Sequence, residues 1–260
     1  MLSYQHAYHA GNPADLHKHI VYTQLITMLM AKPRGLTFLE THAGRGLYDL
    51  NAPEAQKTGE AREGIERLRV DPETEYGRIL AKVRSKQGAS AYPGSPYLAA
   101  EKLRGGDRLI LMEKHPAEVH ALKKAMKGYR AEIHHRDGYE GVLALCPPVP
   151  RRGLVLVDPS YEVKTEYGQV VEFTHALHRK WPEGCILIWY PLLPAKSHEA
   201  MVNAVESLPH LRHEVGFSLK GGKGMTGSGL LLINPPYLSH AAFDAAILQT
   251  DGLLKLRVTK

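Results

Sequence analysis

Short apolar runs separated by helix-patterned stretches constrain this chain more than any other feature. The runs fall at residues 36–41, 108–113, 131–135, 153–158, 185–190, 213–217 and 229–234. Each has the length of a buried strand rather than of a helix. Helical patterns lie between most of them, at 116–127 and 169–180 for example. Strands alternating with helices predict an α/β fold with a mostly parallel, seven-stranded sheet. The Gly/Lys-rich loop at 220–227 suits a hairpin and is too short for a helical crossover, so the last strand is expected to be antiparallel. A helix at 13–31 precedes the first strand. Asn12 is its N-cap, Pro13 its first residue, and Leu16, Ile20, Val21, Leu25, Met28 and Leu29 give it one buried face.

Residues 47–106 break the alternation. They are polar, charged and helix-prone, with Gly and Pro punctuation. They read as a small helical subdomain inserted in a main domain made of 1–46 and 107–260, and as an aid to holding a large substrate. At 260 residues the chain is long enough for a sizeable core. No apolar run approaches the 18 residues of a membrane span, so no membrane partner is expected. The first residues lack the basic and apolar parts of a signal peptide, which points to the cytoplasm. Two cysteines, Cys146 and Cys185, exclude a disulfide framework and a Cys-based metal centre. Lys and Arg exceed Asp and Glu by 33 to 27, a net charge of +6 that favours anionic partners, nucleic acid first.

Chemistry gathers at strand ends. After the first strand, Glu40-Thr41-His42-Ala43-Gly44-Arg45-Gly46 reads as a nucleotide-binding turn between strand and helix. Gly44 lets backbone approach a ligand there. The full dinucleotide fingerprint is absent, since only Gly44 and Gly46 are present. Glu113 ends the second strand, where a carboxylate can accept hydrogen bonds from both ribose hydroxyls. Asp137-Gly138 follows the third, where a carboxylate can bond an adenine amino group and a glycine leaves room for the ring. Carboxyl ends of parallel strands are where such sheets bind ligands.

The fourth strand delivers Asp158-Pro159-Ser160-Tyr161. This resembles the Asp-Pro-Pro-Tyr signature of amino-group methyltransferases that use S-adenosylmethionine. An exocyclic amine is a poor nucleophile because its lone pair is delocalised into the ring. A carboxylate and a backbone carbonyl that accept its two N–H bonds favour a pyramidal nitrogen. The Tyr161 ring is expected to stack on a base that has left its helix. The gain comes mainly from positioning, and no metal is required. Asn234-Pro235-Pro236-Tyr237 is the better literal match to the signature. An antiparallel seventh strand, however, puts Asn234 at the opposite sheet edge, whereas Gly224-Met225-Thr226 falls nearer the active one.

The combination of Met1-Leu2-Ser3-Tyr4, His6, His9-Ala10-Gly11-Asn12, Ala14-Asp15, Lys18-His19, Thr41-His42-Ala43-Gly44, Tyr92-Pro93-Gly94-Ser95-Pro96, Arg151-Arg152-Gly153-Leu154 and Gly224-Met225-Thr226 is similar to the RlmJ family of bacterial 23S ribosomal RNA adenine-N6-methyltransferases. The resemblance spans nearly the whole chain. It implies a Rossmann-like methyltransferase domain with a helical insertion, S-adenosylmethionine as methyl donor, and a monomer that acts on protein-free or early precursor 23S rRNA. It also implies that His19, His42, Ser95, Glu113, Asp137 and Gly138 contact the cofactor, that Asp158 is the catalytic carboxylate, and that Tyr4 and Lys18 lie at the substrate end. Ser160 departs from the family's Pro. A DNA adenine-N6 methyltransferase and an inactive RNA-binding relative remain open alternatives. His6, His9, His17 and His19 do not make a metal site, because His17 and His19 face different ways on a helix. His19 is expected to be buried over the cofactor and His17 to lie on the surface.

Overall fold

A computed structural model describes residues 5–218 and 224–257. In chain order these form α1 (Pro13–Met30), β1 (Thr37–Glu40), β2 (Leu47–Asp49), α2 (Pro53–Thr58), α3 (Glu75–Gln87), β3 (Ala91–Pro93), α4 (Ser95–Lys102), β4 (Arg108–Glu113), α5 (Pro116–Ala125) and β5 (Ala131–His135). There follow α6 (Gly138–Leu145), β6 (Gly153–Val157), α7 (Glu166–Lys180), β7 (Cys185–Leu192), α8 (His198–Ala204), β8 (His210–Gly216), β9 (Gly227–Ile233), α9 (Ser239–Leu248) and β10 (Lys255–Arg257).

The main sheet runs β10-β8-β9-β7-β6-β1-β4-β5. From β5 to β7 all neighbours are parallel. β9 is antiparallel to both β7 and β8, as a hairpin strand must be. The sheet has eight strands rather than the expected seven. The addition is β10, antiparallel to β8 and exposed along its length, so it carries no apolar signal that a sequence reading could use.

Side chains alternate across the sheet with period two. Phe38, Leu109, Leu111, Leu154, Leu156, Leu187, Leu230 and Leu232 join the core under α1, α3, α4 and α9. Leu39, Ile110, Met112, Val155, Val157, Ile186, Ile188, Leu231 and Ile233 join the core under α6, α7 and α8. Both faces are covered, which is why the central strands read as continuous apolar runs. Each fully buried aliphatic side chain contributes about 1.5–3 kcal/mol.

Helix α1 differs from its expected single buried face. Asn12 does cap it, accepting from Asp15 N at 2.8 Å. It is enclosed between β7 and β9 on one side and α3, α4 and α9 on the others, so polar residues as well as apolar ones are buried along it. His17 is among them and is not on the surface as expected. It is fully buried and hydrogen-bonded to Ser228 and His213. Periodicity alone cannot reveal a second packing partner, and here that partner is the far-off C-terminal half.

Residues 47–106 hold three α-helices, a short 3-10 helix at Glu60–Glu63 and a two-stranded antiparallel ladder of β2 with β3. Tyr48, Ile65, Ile79, Leu80, Tyr92 and Leu98 from this segment share one core with α1.

Close backbone approach sets one rigid requirement. A Cβ on Gly153 would lie 2.0 Å from the carbonyl oxygen of Thr37, its partner on β1. Gly153→Ala is expected to destabilise the fold by about 1–3 kcal/mol, the usual cost of overpacking. Gly105→Ala, with nothing within 4 Å of the added carbon, serves as the near-neutral control. Thermal unfolding of the two variants checks this; equal midpoints would refute the account.

Candidate active site

The carboxyl ends of β1, β4, β6 and β7 open into one cavity of about 940 Å³, roofed by α1 and the chain before it. This is at the upper end of the range for small-molecule sites. The chain runs outward from β1 through β4 to β5 and then crosses back to β6 on the other side of β1, so the strand order reverses at β1, the place where open α/β sheets bind ligands.

The turn after β1 lies at its floor. Gly44 has a left-handed backbone with φ 61°, and a Cβ there would lie 2.6 Å from the Tyr48 hydroxyl. The turn feeds strand β2, not the helix expected, because Leu47–Asp49 pairs with Ala91–Pro93. No helix N-terminus therefore faces the cavity from this turn. Instead Gly44 N donates to Glu113 Oε2 at 2.8 Å, and His115 N donates to Oε1 at 2.8 Å. Burial pushes the Glu113 carboxyl up, against the pull of those N–H donors.

Asp137 caps α6, accepting from Tyr139 N and Glu140 N, and takes Lys114 Nζ at 3.1 Å on its other oxygen. Burial would raise its carboxyl, but Lys114 and the N–H donors outweigh that and lower it. Gly138 lines the cavity, yet a Cβ there would meet the Thr41 carbonyl oxygen at 1.9 Å. The glycine is thus required by the packing of α6 on β1, a reason other than room for a ligand ring.

Asp158 follows β6. Lys18 Nζ donates to its Oδ2 at 2.5 Å and lies 3.1 Å from Asp15 Oδ1. Burial would depress the Lys18 ammonium, but Asp158 and Asp15 outweigh it and raise it, so Lys18 stays charged. Asp15 also accepts from His6 Nε2 at 2.8 Å and from Gly11 N at 2.9 Å. Ser160 Oγ bonds Glu166 Oε2 at 3.3 Å, tying the turn to α7 where the family has a proline. The Tyr161 ring, at 7% exposure, offers little face for stacking. It lies 4.5 Å from the Tyr167 ring, and its hydroxyl donates to the Trp189 carbonyl at 2.8 Å. Its φ of 55° is a strained value for a bulky residue.

Two neutral histidines complete the walls. His19 is hydrogen-bonded with the Tyr92 hydroxyl at 2.9 Å, and burial pushes it down to about 3. His42 bonds Thr41 Oγ1 at 2.8 Å, and burial pushes it down to about 4. Ser95, at the start of α4, donates to Glu40 Oε2 at 2.7 Å.

The cavity thus brings together Lys18, His19, His42, Gly44, Ser95, Glu113, Asp137, Gly138, Asp158, Pro159 and Tyr161. Gly224 and Met225 also line it, at the end of the β8–β9 hairpin nearer these residues. Tyr4 and loop residues 219–223 lie outside the described residues. Asn234 sits at the other sheet edge, donating to the carbonyls of Pro182 and Gly184 just before β7. Sequence reasoning missed the Asp15 link, the buried Glu40 and Trp189. The Asp15–Lys18 spacing on one helix face was the available signal for the first.

A doubly covered sheet of this order, with carboxylates after β4, β5 and β6 facing one cavity, defines a Rossmann-like methyltransferase that takes S-adenosylmethionine as donor. Glu113, Asp137 and the Gly44 turn line this cavity, with both oxygens of each carboxylate already accepting hydrogen bonds from within the chain. The model of the family described as ribosomal RNA large subunit methyltransferase D, RlmJ, matches residues 33–249, and the chain belongs to that family. Ribosomal RNA large subunit methyltransferase J of Escherichia coli is 37% identical over 248 residues, covering 91% of this chain and 88% of its own. Its namesake from Haemophilus influenzae is 36% identical over 249 residues, with the same coverage. A crystal structure of the Legionella pneumophila protein LPL1258 superposes with a TM-score of 0.83 at 35% identity, covering 93% of this chain and 92% of that one.

Glu40 supplies a test of the site's electrostatics. Burial, opposed by hydrogen bonds from Ser95 and Tyr22, pushes its carboxyl up from 4.5 to about 8. The folded state therefore holds a proton that the unfolded chain releases between these values. This contribution to stability is present below pH 4.5 and is lost as pH rises to about 8. Glu40→Gln should gain on the parent steadily across that window when both are unfolded by denaturant at several pH values. A pH-independent difference would remove the buried acid from the account.

Proposed function

We propose that this protein transfers the methyl group of S-adenosylmethionine to the N6 atom of an adenine in 23S ribosomal RNA. The observation that carries the reading is Asp158-Pro159, at the carboxyl end of β6, facing the same cavity as Glu113, Asp137 and Gly44. The family membership supports it. When bound, the cofactor supplies an electrophilic sulfonium methyl. Glu113 and Asp137 are assigned to its nucleoside, with Gly44, His19, His42, Ser95 and Gly138 lining its place. The Asp158 carboxylate and the Pro159 carbonyl accept the two N6 hydrogens and direct the nitrogen lone pair toward the methyl. Lys18 orients that carboxylate from α1, and neutral His19 and His42 add no charge to repel a sulfonium.

The substrate is read as protein-free or early precursor RNA, met by a monomer in the cytoplasm. Residues 47–106 are assigned to holding it, as a helical insertion that flanks the cavity. Exposed Lys57, Arg62 and Arg67 on this segment are the first candidates for phosphate contacts.

The deciding experiment transfers labelled methyl to protein-free 23S rRNA and not to duplex DNA. The reverse preference would make the protein a DNA enzyme, and cofactor binding without transfer would make it an inactive relative. Asp158→Ala should abolish transfer and leave calorimetric affinity for S-adenosylhomocysteine nearly intact; turnover near that of the parent would remove Asp158 from the mechanism. RNA affinity should fall with salt at a log–log slope of about −0.7 per neutralised phosphate. Charge reversal at Lys57, Arg62 and Arg67 should flatten that slope without changing cofactor binding. An affinity independent of salt would refute phosphate contacts as the main hold.

A further inference from the structure

Trp189 stands beside Asp158 and Lys18 at the centre of the site. The last paired residues of β6 and β7 are Val157 and Ile188, so Asp158 and Trp189 are the next residues on two adjacent parallel strands. Val157 and Ile188 both point to the α7 face. Asp158 and Trp189 therefore share the opposite face, under α1. Lys18 Nζ reaches both, at 2.5 Å from Asp158 Oδ2 and 5.7 Å from the indole centroid. The indole is half-buried and lines the cavity, whereas the Tyr161 ring behind it is buried and its hydroxyl holds the Trp189 carbonyl.

The indole is held by a hydrogen-bonded chain that is buried from Ser228 through His17 to His213. Trp189 Nε1 donates to Ser228 Oγ at 2.9 Å. Ser228 Oγ meets His17 Nδ1 at 2.9 Å, and His17 Nε2 meets His213 Nδ1 at 2.9 Å. His213 Nε2 meets Asp244 Oδ1 at 3.2 Å, and His240 Nδ1 lies 3.0 Å from the other oxygen. An indole N–H only donates and a carboxylate only accepts. Those two ends leave one arrangement that satisfies every group. Ser228 donates to His17, His17 to His213, and His213 to Asp244, with His17 and His213 neutral. Burial holds both rings below the usual histidine range, which agrees with that arrangement.

We propose that Trp189 is the surface on which the target purine stacks while its amino group meets Asp158, and that Ser228, His17, His213 and Asp244 are positioning residues that fix the tilt of the indole. The proposal rests on the adenine reading above. It gives base contact to a half-buried ring that lines the cavity next to the acceptor carboxylate, and leaves Tyr161 as the support behind that ring. Stacking against an indole accepts any base, so Trp189 supplies affinity and alignment, and Asp158 with Pro159 supplies the choice of an amino group.

The test uses the chain's two tryptophans. Trp181 is fully buried and bonded to the Arg151 carbonyl, so Trp181→Phe leaves Trp189 as the sole reporter. Short oligoadenylate added to this protein with S-adenosylhomocysteine should quench the remaining emission. Trp189→Leu should lower kcat/KM for protein-free 23S rRNA by about 10- to 100-fold, with unchanged S-adenosylhomocysteine affinity as the sign of an intact fold. Trp189→Phe should keep most activity. His17→Leu should raise KM for RNA and shift the Trp189 emission, and His17→Gln, which retains a donor and an acceptor, should restore both. Parent-like kcat/KM in Trp189→Leu, or oligoadenylate that leaves the emission unchanged, would overturn the platform. Quenching with no transfer by the parent protein would sustain the platform and defeat only the substrate reading.

Discussion

The contact on which the site depends is the buried ammonium of Lys18 between Asp158 and Asp15. A lysine this deep loses its hydration, and the loss is offset only because two carboxylates lie within 3.1 Å and 2.5 Å. Removing either partner would leave charge buried without compensation, so α1 is tied to the end of β6 by electrostatics as well as by packing. Asp15 is itself tied down by His6 and Gly11 N, which carries the constraint into the segment before α1. Through Lys18 the helix that roofs the cavity and the strand that supplies its acidic group act as one unit.

The sheet makes that arrangement possible. Its central strands are covered on both faces, so they deliver backbone to a fixed edge with little freedom. Where β1 separates β4 from β6, no helix can fill the gap at the carboxyl end, and the cavity is what remains. Carboxylates at that edge are held in different ways. Glu113 is held by backbone N–H groups, Asp137 by a helix start and Lys114, and Asp158 by a lysine from another element. The first two are held by groups of neighbouring strand ends, the Gly44 and His115 N–H for Glu113 and the start of α6 with Lys114 for Asp137. The third depends on the docking of α1. This is also why the Trp189 chain matters: it runs from β7 through β9, α1 and β8 to α9, and so joins the parts of the fold that surround Asp158.

Seven strands of the main sheet, their parallel order up to β7 and the antiparallel β9 were legible because apolar runs and loop length report directly on burial and on crossover geometry, whereas the short β2–β3 ladder within 47–106 was not. Strand β10 was not, since an exposed edge strand of three residues carries no such signal. The acids at the ends of β4, β5 and β6 were legible for a similar reason, as each stands at the polar boundary of an apolar run. The preference for Asp158 over Asn234 needed only the direction of β9, although the letters favoured Asn234.

Other features depended on contacts between distant residues. His17 looked like a surface residue, because its neighbours in sequence say nothing of Ser228 and His213, which are about 200 positions away. Gly138 looked like ligand space until the Thr41 carbonyl was found where its side chain would be. Tyr161 had the right identity for stacking but is buried at the cavity wall with 7% exposure, and Trp189 carried no motif to mark it. The sequence by itself determined which strands form, which way they run and which acids end them, since these follow from local polarity and chain reach. Tertiary structure alone decided which histidines are buried, which ring faces the cavity and which lysine meets Asp158, because burial and side-chain direction are set by whatever packs on the other side.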